Sequence, residues 1–346
     1  MLALLAVTVG YDDTDQPVSL VELRPMDVGD ILDNTIRIYR FVPWVLILTY
    51  AIIAGLPVFL QQSTGQFVTN VITEALGMMN PSNPGTEFLN VFQSADFYVA
   101  SGIMVLGMFL MFFLAPMAQA AMVYIVSETI LGRETTIADS IRAILPKVGT
   151  IILAYIVVGI IILITYSPII LSMGIFFARP ADQNAVLTAL GLIWLYPVSA
   201  VVLLWLTVKF LFIPHSVILD DLGAVDAFKR SFNLVTGYWW RTFGIYILIS
   251  FIVGIIVALL QQGVAVVNLG LNQLPHILPL AIVGIGGLLM TVISIVIQPI
   301  GIIATTLLYY DLRIRKEGFD LLHLASALAK KPDNEMMTCS ETEPFG

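Results

Sequence analysis

Residues 27–62 read DVGDILDNTIRIYRFVPWVLILTYAIIAGLPVFLQQ, and the two halves of this stretch obey different rules. Over the first half, Val28, Ile31, Leu32, Thr35, Tyr39 and Val42 recur at helical spacing and form one mostly apolar stripe. Asp27 suits an N-cap, and Asp30 falls in the first turn. Arg37 and Arg40 come at the far end, where the helix dipole favours cations. Asp33 and Arg37 form a favourably ordered i,i+4 pair. From Trp44 to Leu60 the periodicity vanishes and no Asp, Glu, Lys or Arg occurs. With Phe41 and Val42 added, this run approaches the roughly 20 apolar residues that carry a helix across a bilayer. The stretch therefore predicts an amphipathic helix lying on a membrane surface, joined at Pro43 to a membrane span.

The rest of the chain extends this reading. Of 346 residues, 58% are hydrophobic and 12% charged, about half the charge of an ordinary soluble domain. Six apolar runs are expected to span: about 44–60, 97–126, 148–173, 186–208, 242–262 and 277–310. None has an Asp, Glu, Lys or Arg in its central part. Turn-rich breaks separate them, NPSNPG at 80–85, ARPADQN at 178–184 and NQLPH at 272–276. Of the 16 Lys and Arg, only Arg179 falls on one side of the implied topology; the other 15 fall on the opposite side. The positive-inside rule then places both termini in the cytoplasm, at the cytoplasmic membrane of the cell. In the first external loop, FVTNVITEALGMM (residues 67–79) suggests a short interfacial helix. The first ten residues, MLALLAVTVG, lack a basic leader and are followed by YDDTD, so a cleaved signal is not expected.

The opening unit recurs twice. TTIADSIRAILPKVG (residues 135–149) starts with a capping-box pair, Thr136 and Asp139, carries Ile137, Ile141, Ile144 and Leu145, and ends at Pro146. DDLGAVDAFKRSFNLVTGYWWR (residues 220–241) aligns Leu222, Val225, Phe228, Phe232 and Val235, with Gly237 where the others have proline. Each even-numbered run has a proline followed twelve residues later by a charge: Pro116 and Glu128, Pro197 and Lys209, Pro299 and Asp311. Twelve helical residues rise about 18 Å, which puts the proline deep in the membrane and the charge at its cytoplasmic surface. The expected fold is thus all-α and polytopic. It has six transmembrane helices, three cytoplasmic amphipathic helices and three pseudo-repeats at about 27–132, 133–220 and 221–316. A tail at 1–21 precedes this six-span domain (22–322), and a disordered tail at 323–346 follows it.

Candidate chemistry is sparse. The one cysteine, Cys339, allows no disulfide within the chain. No paired-histidine zinc motif is present, no cofactor is expected, and no basic, aromatic-laced surface points to nucleic acid. His215, near Lys209, Asp220 and Asp221, is the nearest thing to a phosphate or metal site; an interfacial histidine at the break around Pro214 is the plainer reading. Glu128, Lys209 and Asp311 recur by position and are expected to pair, with one another or with arginines of the surface helices. Gln119, Gln298 and the serines and threonines of the spans suit hydrogen bonds between helices. GIGGLLM (residues 284–290) follows no strand and carries no lysine, so it reads as a small-residue packing surface.

Three stretches carry a resemblance: LRPMDVGDILDNTIRIYR (residues 23–40), IPHSVILDDLGAVDAFKRSFNLVTGYWWR (residues 213–241) and LLYYDLRIRKEGFDL (residues 307–321). Together they resemble the membrane domain attached to some glycerophosphoryl diester phosphodiesterases, and its stand-alone bacterial relatives. The resemblance implies a bacterial integral membrane protein without the soluble catalytic barrel. The barrel's His-Arg-Gly stretch is absent, since none of His215, His276 and His323 is followed by Arg-Gly. The expected function is a non-enzymatic scaffold or regulatory module whose partners are membrane lipids and proteins still to be identified. A transporter or lipid-handling channel is the alternative, and a membrane-embedded head-group enzyme a third. The absence of ionisable residues from span centres argues against proton coupling.

Overall fold

The computed structural model describes residues 24–77, 95–178, 191, 194–272 and 279–318. The elements within them are all helical: α1 (Val28–Phe41), α2 (Pro43–Gly77), α3 (Ala95–Ile130), α4 (Ile137–Ile144), α5 (Val148–Ala178), α6 (Leu195–Phe210), α7 (Ile213–Leu219), α8 (Ala224–Val235), α9 (Trp239–Asn272) and α10 (Pro279–Glu317). Short amphipathic helices α1, α4 and α8 each precede a long apolar helix, and all three gather at one end of the bundle, here called the capped end. Their starts are set locally. Asp27 donates its backbone N–H to the Asp30 carboxylate at 3.0 Å. Thr136 and Asp139 exchange reciprocal bonds, each backbone N–H to the other's side chain at 3.2 Å. After α8 the chain turns through Gly237 at φ +92°, a conformation that strains any residue with a Cβ.

Among the described residues, six stretches are long and apolar enough to cross a membrane: Pro43–Val68, Phe97–Ile130, Ile137–Ser172, Leu195–Leu219, Trp239–Leu271 and Gly284–Glu317. The chain is an integral, multi-pass membrane protein. Three expectations are corrected. Residues 67–77 are no separate interfacial helix, because α2 runs on to Gly77; nothing between Gln62 and Gly77 breaks a helix except a tolerated Gly65. Pro197 does not lie within a long helix but in the first turn of α6, where its missing N–H has no helical partner to lose. Pro116 and Pro299 do lie within long helices. Finally, α8 buries only part of the stripe read from its large residues, with Val235 buried and Leu222 and Phe228 half-buried against the core. Val225 and Phe232 are exposed, and Ala224, Ala227, Ser231, Leu234 and Val235 are buried. The small residues allow close approach: the Ser231 hydroxyl donates to the Lys209 carbonyl at 2.7 Å and accepts the Phe212 N–H at 3.2 Å, bridging the break between α6 and α7. In α1 and α4 most of the expected stripes hold, with Ile31, Thr35, Val42, Ile137 and Ile144 buried, while Val28 and Leu145 face out. Ser82, His276 and His323 lie outside the described residues.

Packing is uneven along the bundle axis. The buried core lies at the capped end, where Met26, Ile31, Ile38, Met122, Ile125, Phe212, Ile213, Leu307, Tyr309 and Leu312 meet. Beyond it α3 exposes Val99, Val105 and Phe109, and α9 exposes Phe251, Ile255 and Leu259. The most apolar windows of the spans in α3, α5 and α9 are only 11% buried, against 39% to 50% for the other three. Such surface is stable only against hydrocarbon. Toward the far end, α10 closes tightly on its neighbours at glycine: a Cβ built on Gly287 falls 2.1 Å from Ser63 Oγ of α2, and one on Gly286 falls 2.6 Å from Asn268 Nδ2 of α9. The GIGGLLM segment is therefore a packing surface. Helices are also tied by Gln119, which accepts the Tyr155 hydroxyl at 2.7 Å, and by Ser127 and Tyr310, 2.7 Å apart.

Candidate functional site: an ionic hub at the capped end

The last turns of α10 read YYDLRIRKE over 309–317. Charges at every second position of a helix sort into two i,i+4 pairs on different faces. Asp311 and Arg315 form one, Arg313 and Glu317 the other. Each face clamps a different part of the chain.

On the first face, Asp311 is fully buried. Its carboxylate accepts the Met26 N–H at 2.8 Å, Arg315 Nε at 2.9 Å and Arg241 Nη2 at 3.1 Å. Both guanidiniums also donate to the Met26 carbonyl. A buried carboxylate is costly unless opposite charge and hydrogen bonds compensate it, and here both do. The segment before α1, the start of α9 and the end of α10 are thereby joined.

On the second face, Asp220 accepts Arg230 Nε at 2.9 Å, the Tyr309 hydroxyl at 2.6 Å and Arg313 Nη1 at 3.1 Å. Arg230 also forks onto both Glu317 oxygens. Hydrogen bonding to Glu317 and then Asp220 pushes the Arg230 pKa further up, so this guanidinium stays charged. Lys316 donates to the Asn233 carbonyl. The end of α7, all of α8 and the end of α10 thus form one block.

The five residues singled out in the sequence do not converge. His215 is fully buried within the protein. Its Nε2 lies 3.1 Å from Thr306 Oγ1, its ring stacks on Tyr309 with centroids 5.2 Å apart, and its Nδ1 has no partner. Lys209 turns toward α8, donating to Thr236 at 2.8 Å and lying 4.1 Å from the Phe232 ring. Asp221 points outward to Lys147 at 2.9 Å. Lys147 also donates to the Val217 and Ile218 carbonyls at the end of α7. Glu128 pairs with Arg133 at 3.4 Å, in the turn after its own helix. Glu128, Lys209 and Asp311 therefore do not pair with one another, and the arginines that Glu128 and Asp311 meet, Arg133 and Arg241 with Arg315, lie outside the three amphipathic helices. Among the described residues no three His, Cys, Asp or Glu side chains are grouped to hold a metal. Sequence reading missed Arg230, Arg313, Glu317 and the Met26 backbone as partners. The signal was the D-x-R-x-R-x-E alternation, legible once 309–317 is placed on a helix.

The three sequence stretches around residues 23–40, 213–241 and 307–321 thus meet in space, through Met26, through Asp220, Arg230 and Arg241, and through residues 309–317. Six apolar spans closed at one end by a charge-paired cap define a polytopic α-helical membrane protein. Within that class, the chain belongs to the domain-of-unknown-function family DUF7847, which it matches over residues 26–312. No curated protein and no solved structure matches it.

Proposed function

We propose that this chain is a non-catalytic module of the cytoplasmic membrane that scaffolds or regulates partner proteins or lipid organisation, with the capped end in the cytoplasm. One observation carries the reading: the charged groups at the capped end bind one another. Asp220, Asp311, Arg230, Arg241, Arg315 and Glu317 hold α7, α8, α9 and α10 in place and form no nucleophile–base pair. The product is a rigid platform carrying three amphipathic helices. The resemblance to the membrane domain of glycerophosphoryl diester phosphodiesterases, many relatives of which stand alone in bacteria, agrees with a module that works through association.

The test is isolation of the full chain from its native membrane in mild detergent. A scaffold retains a partner in fixed stoichiometry, and Asp311→Asn, by loosening the cap, releases it. A single partner-free species under every mild solubilisation overturns the proposal. A lipid-handling path is the second reading, favoured by an apolar groove of about 550 Å³ between α5 and α6, lined by Leu163, Ser167, Pro168, Ile170, Leu171 and Leu195. Translocation of labelled lipid across proteoliposomes by the purified chain is the result that selects it.

A further inference from the structure

The three junctions between amphipathic helix and span differ in where their cations go. At the second, Lys147 turns inward to the Val217 and Ile218 carbonyls and to Asp221. At the third, Arg241 turns inward to Asp311. At the first, Arg40 is exposed in the last turn of α1, and among the described residues no carboxylate lies within salt-bridge distance of it. Apolar side chains surround it in sequence and share its exposure: Ile36 at 58%, Phe41 at 41% and Trp44 at 66%. Trp44 heads a stripe that continues through the exposed Ile52 and Leu56 at i+8 and i+12, the face that α2 turns to hydrocarbon. The junction is tied to α10 by Tyr39, whose hydroxyl donates at 2.9 Å to the Val296 carbonyl. An exposed guanidinium thus sits where a lipid-facing stripe begins, between two aromatic residues suited to the head-group layer.

We propose that the Arg40 junction is a binding site for the head group of an anionic phospholipid. The Arg40 guanidinium pairs with the phosphate, and Phe41 and Trp44 lie against the glycerol backbone and the first methylenes of the chains. A lipid is the occupant because the patch is continuous with the hydrocarbon-facing side of α2. A guanidinium offers the forked donor geometry that phosphate oxygens accept. The site does not depend on the scaffold reading, since it needs only the fold.

Native mass spectrometry of the full chain in detergent, with equal amounts of phosphatidylglycerol and phosphatidylcholine, tests it. The first bound lipid is expected to be the anionic one by about fivefold, the preference that one arginine near a membrane surface supplies. Arg40→Gln brings the ratio to about one, and Arg40→Lys, which keeps the charge, retains most of it. Trp44→Ala lowers retention of both lipids alike. Inorganic phosphate added in excess leaves the lipid in place. A wild-type ratio near one, or a ratio unmoved by Arg40→Gln, overturns the site. Displacement by inorganic phosphate overturns the lipid as its occupant.

Discussion

Asp311 is the residue on which most depends. Its carboxylate is fully buried and holds Met26, Arg241 and Arg315 together. Replacing it with Asn keeps the shape but leaves two guanidiniums facing a neutral amide. Breaking a buried pair by removing one partner costs about 3–5 kcal/mol; with each guanidinium about a quarter exposed, the lower end is expected. Thermal unfolding of Asp311→Asn in detergent checks this, and a midpoint within a degree of wild type would contradict the hub. Asp221 stands at the other extreme. Its side chain is 85% exposed, and its pKa is lowered by the hydrogen bond from Lys147 and by the attraction of that charge. A carboxylate depressed in the folded state contributes stability above its unfolded value, about 3.9, and loses it as pH falls through the lower folded value. The Lys147–Asp221 bridge is therefore expected to persist from pH 7 to pH 5 and to fail only below the ordinary aspartate range. The small difference in midpoint between wild type and Asp221→Asn should stay constant down to pH 5 and shrink only as the pH falls below the ordinary aspartate value of about 3.9. A difference that disappears by pH 5 would mean that the pairing does not lower the aspartate pKa.

At the scale of elements, the far-end contact of α2 with α10 rests on the absence of a side chain. A Cβ on Gly287 falls 2.1 Å from Ser63 Oγ and 2.8 Å from Ser63 Cα, distances that no rotamer change of Ser63 relieves fully. Gly287→Ala is expected to destabilise by about 1–3 kcal/mol, the range for overpacking a close contact. Adding Ser63→Gly removes the nearest obstruction and should recover part of the loss; no recovery in the double variant would place the strain elsewhere. This contact was half legible in the sequence, since GIGGLLM announces a packing surface but not its partner on α2. The same division holds throughout. Apolar runs and capping pairs such as Thr136 and Asp139 are local, and they were readable. Which face of α8 turns inward was not, because burial there follows close approach at Ala227 and Ser231 and not the size of Val225 and Phe232. The partners of Asp311 were hidden for a related reason. They lie 285 residues away at Met26 and 70 away at Arg241, and one of them is a backbone amide, which carries no side-chain signature.

For the whole molecule, the imbalance between its ends is expected to set the orientation of the bundle. The charged hub, the three amphipathic helices and the close-packed core all lie at the capped end, while the far halves of α3, α5 and α9 expose aliphatic and aromatic side chains. Of the 16 Lys and Arg in the chain, 15 belong by sequence to the capped side and Arg179 alone to the other. Loops rich in Lys and Arg stay in the cytoplasm, and short loops bearing few are the ones that cross. To invert the chain, the turn at Arg133, the Arg142–Lys147 junction and the Arg230 and Arg313 cluster would all have to be translocated with their charges. The far loops carry almost nothing to hold them back. The expected outcome is therefore one orientation, with the capped end in the cytoplasm. In a Cys339→Ser background, a cysteine replacing Ser82 should react with a membrane-impermeant maleimide added to intact cells. A cysteine replacing Glu134, exposed in the turn before α4, should react only after the membrane is opened. Labelling of the Glu134 position in intact cells, with Ser82 protected, reverses the assignment; labelling of both in intact cells means a mixed topology. Either result removes the charge imbalance as the cause of orientation and turns the cap, with its amphipathic helices, away from any cytoplasmic partner.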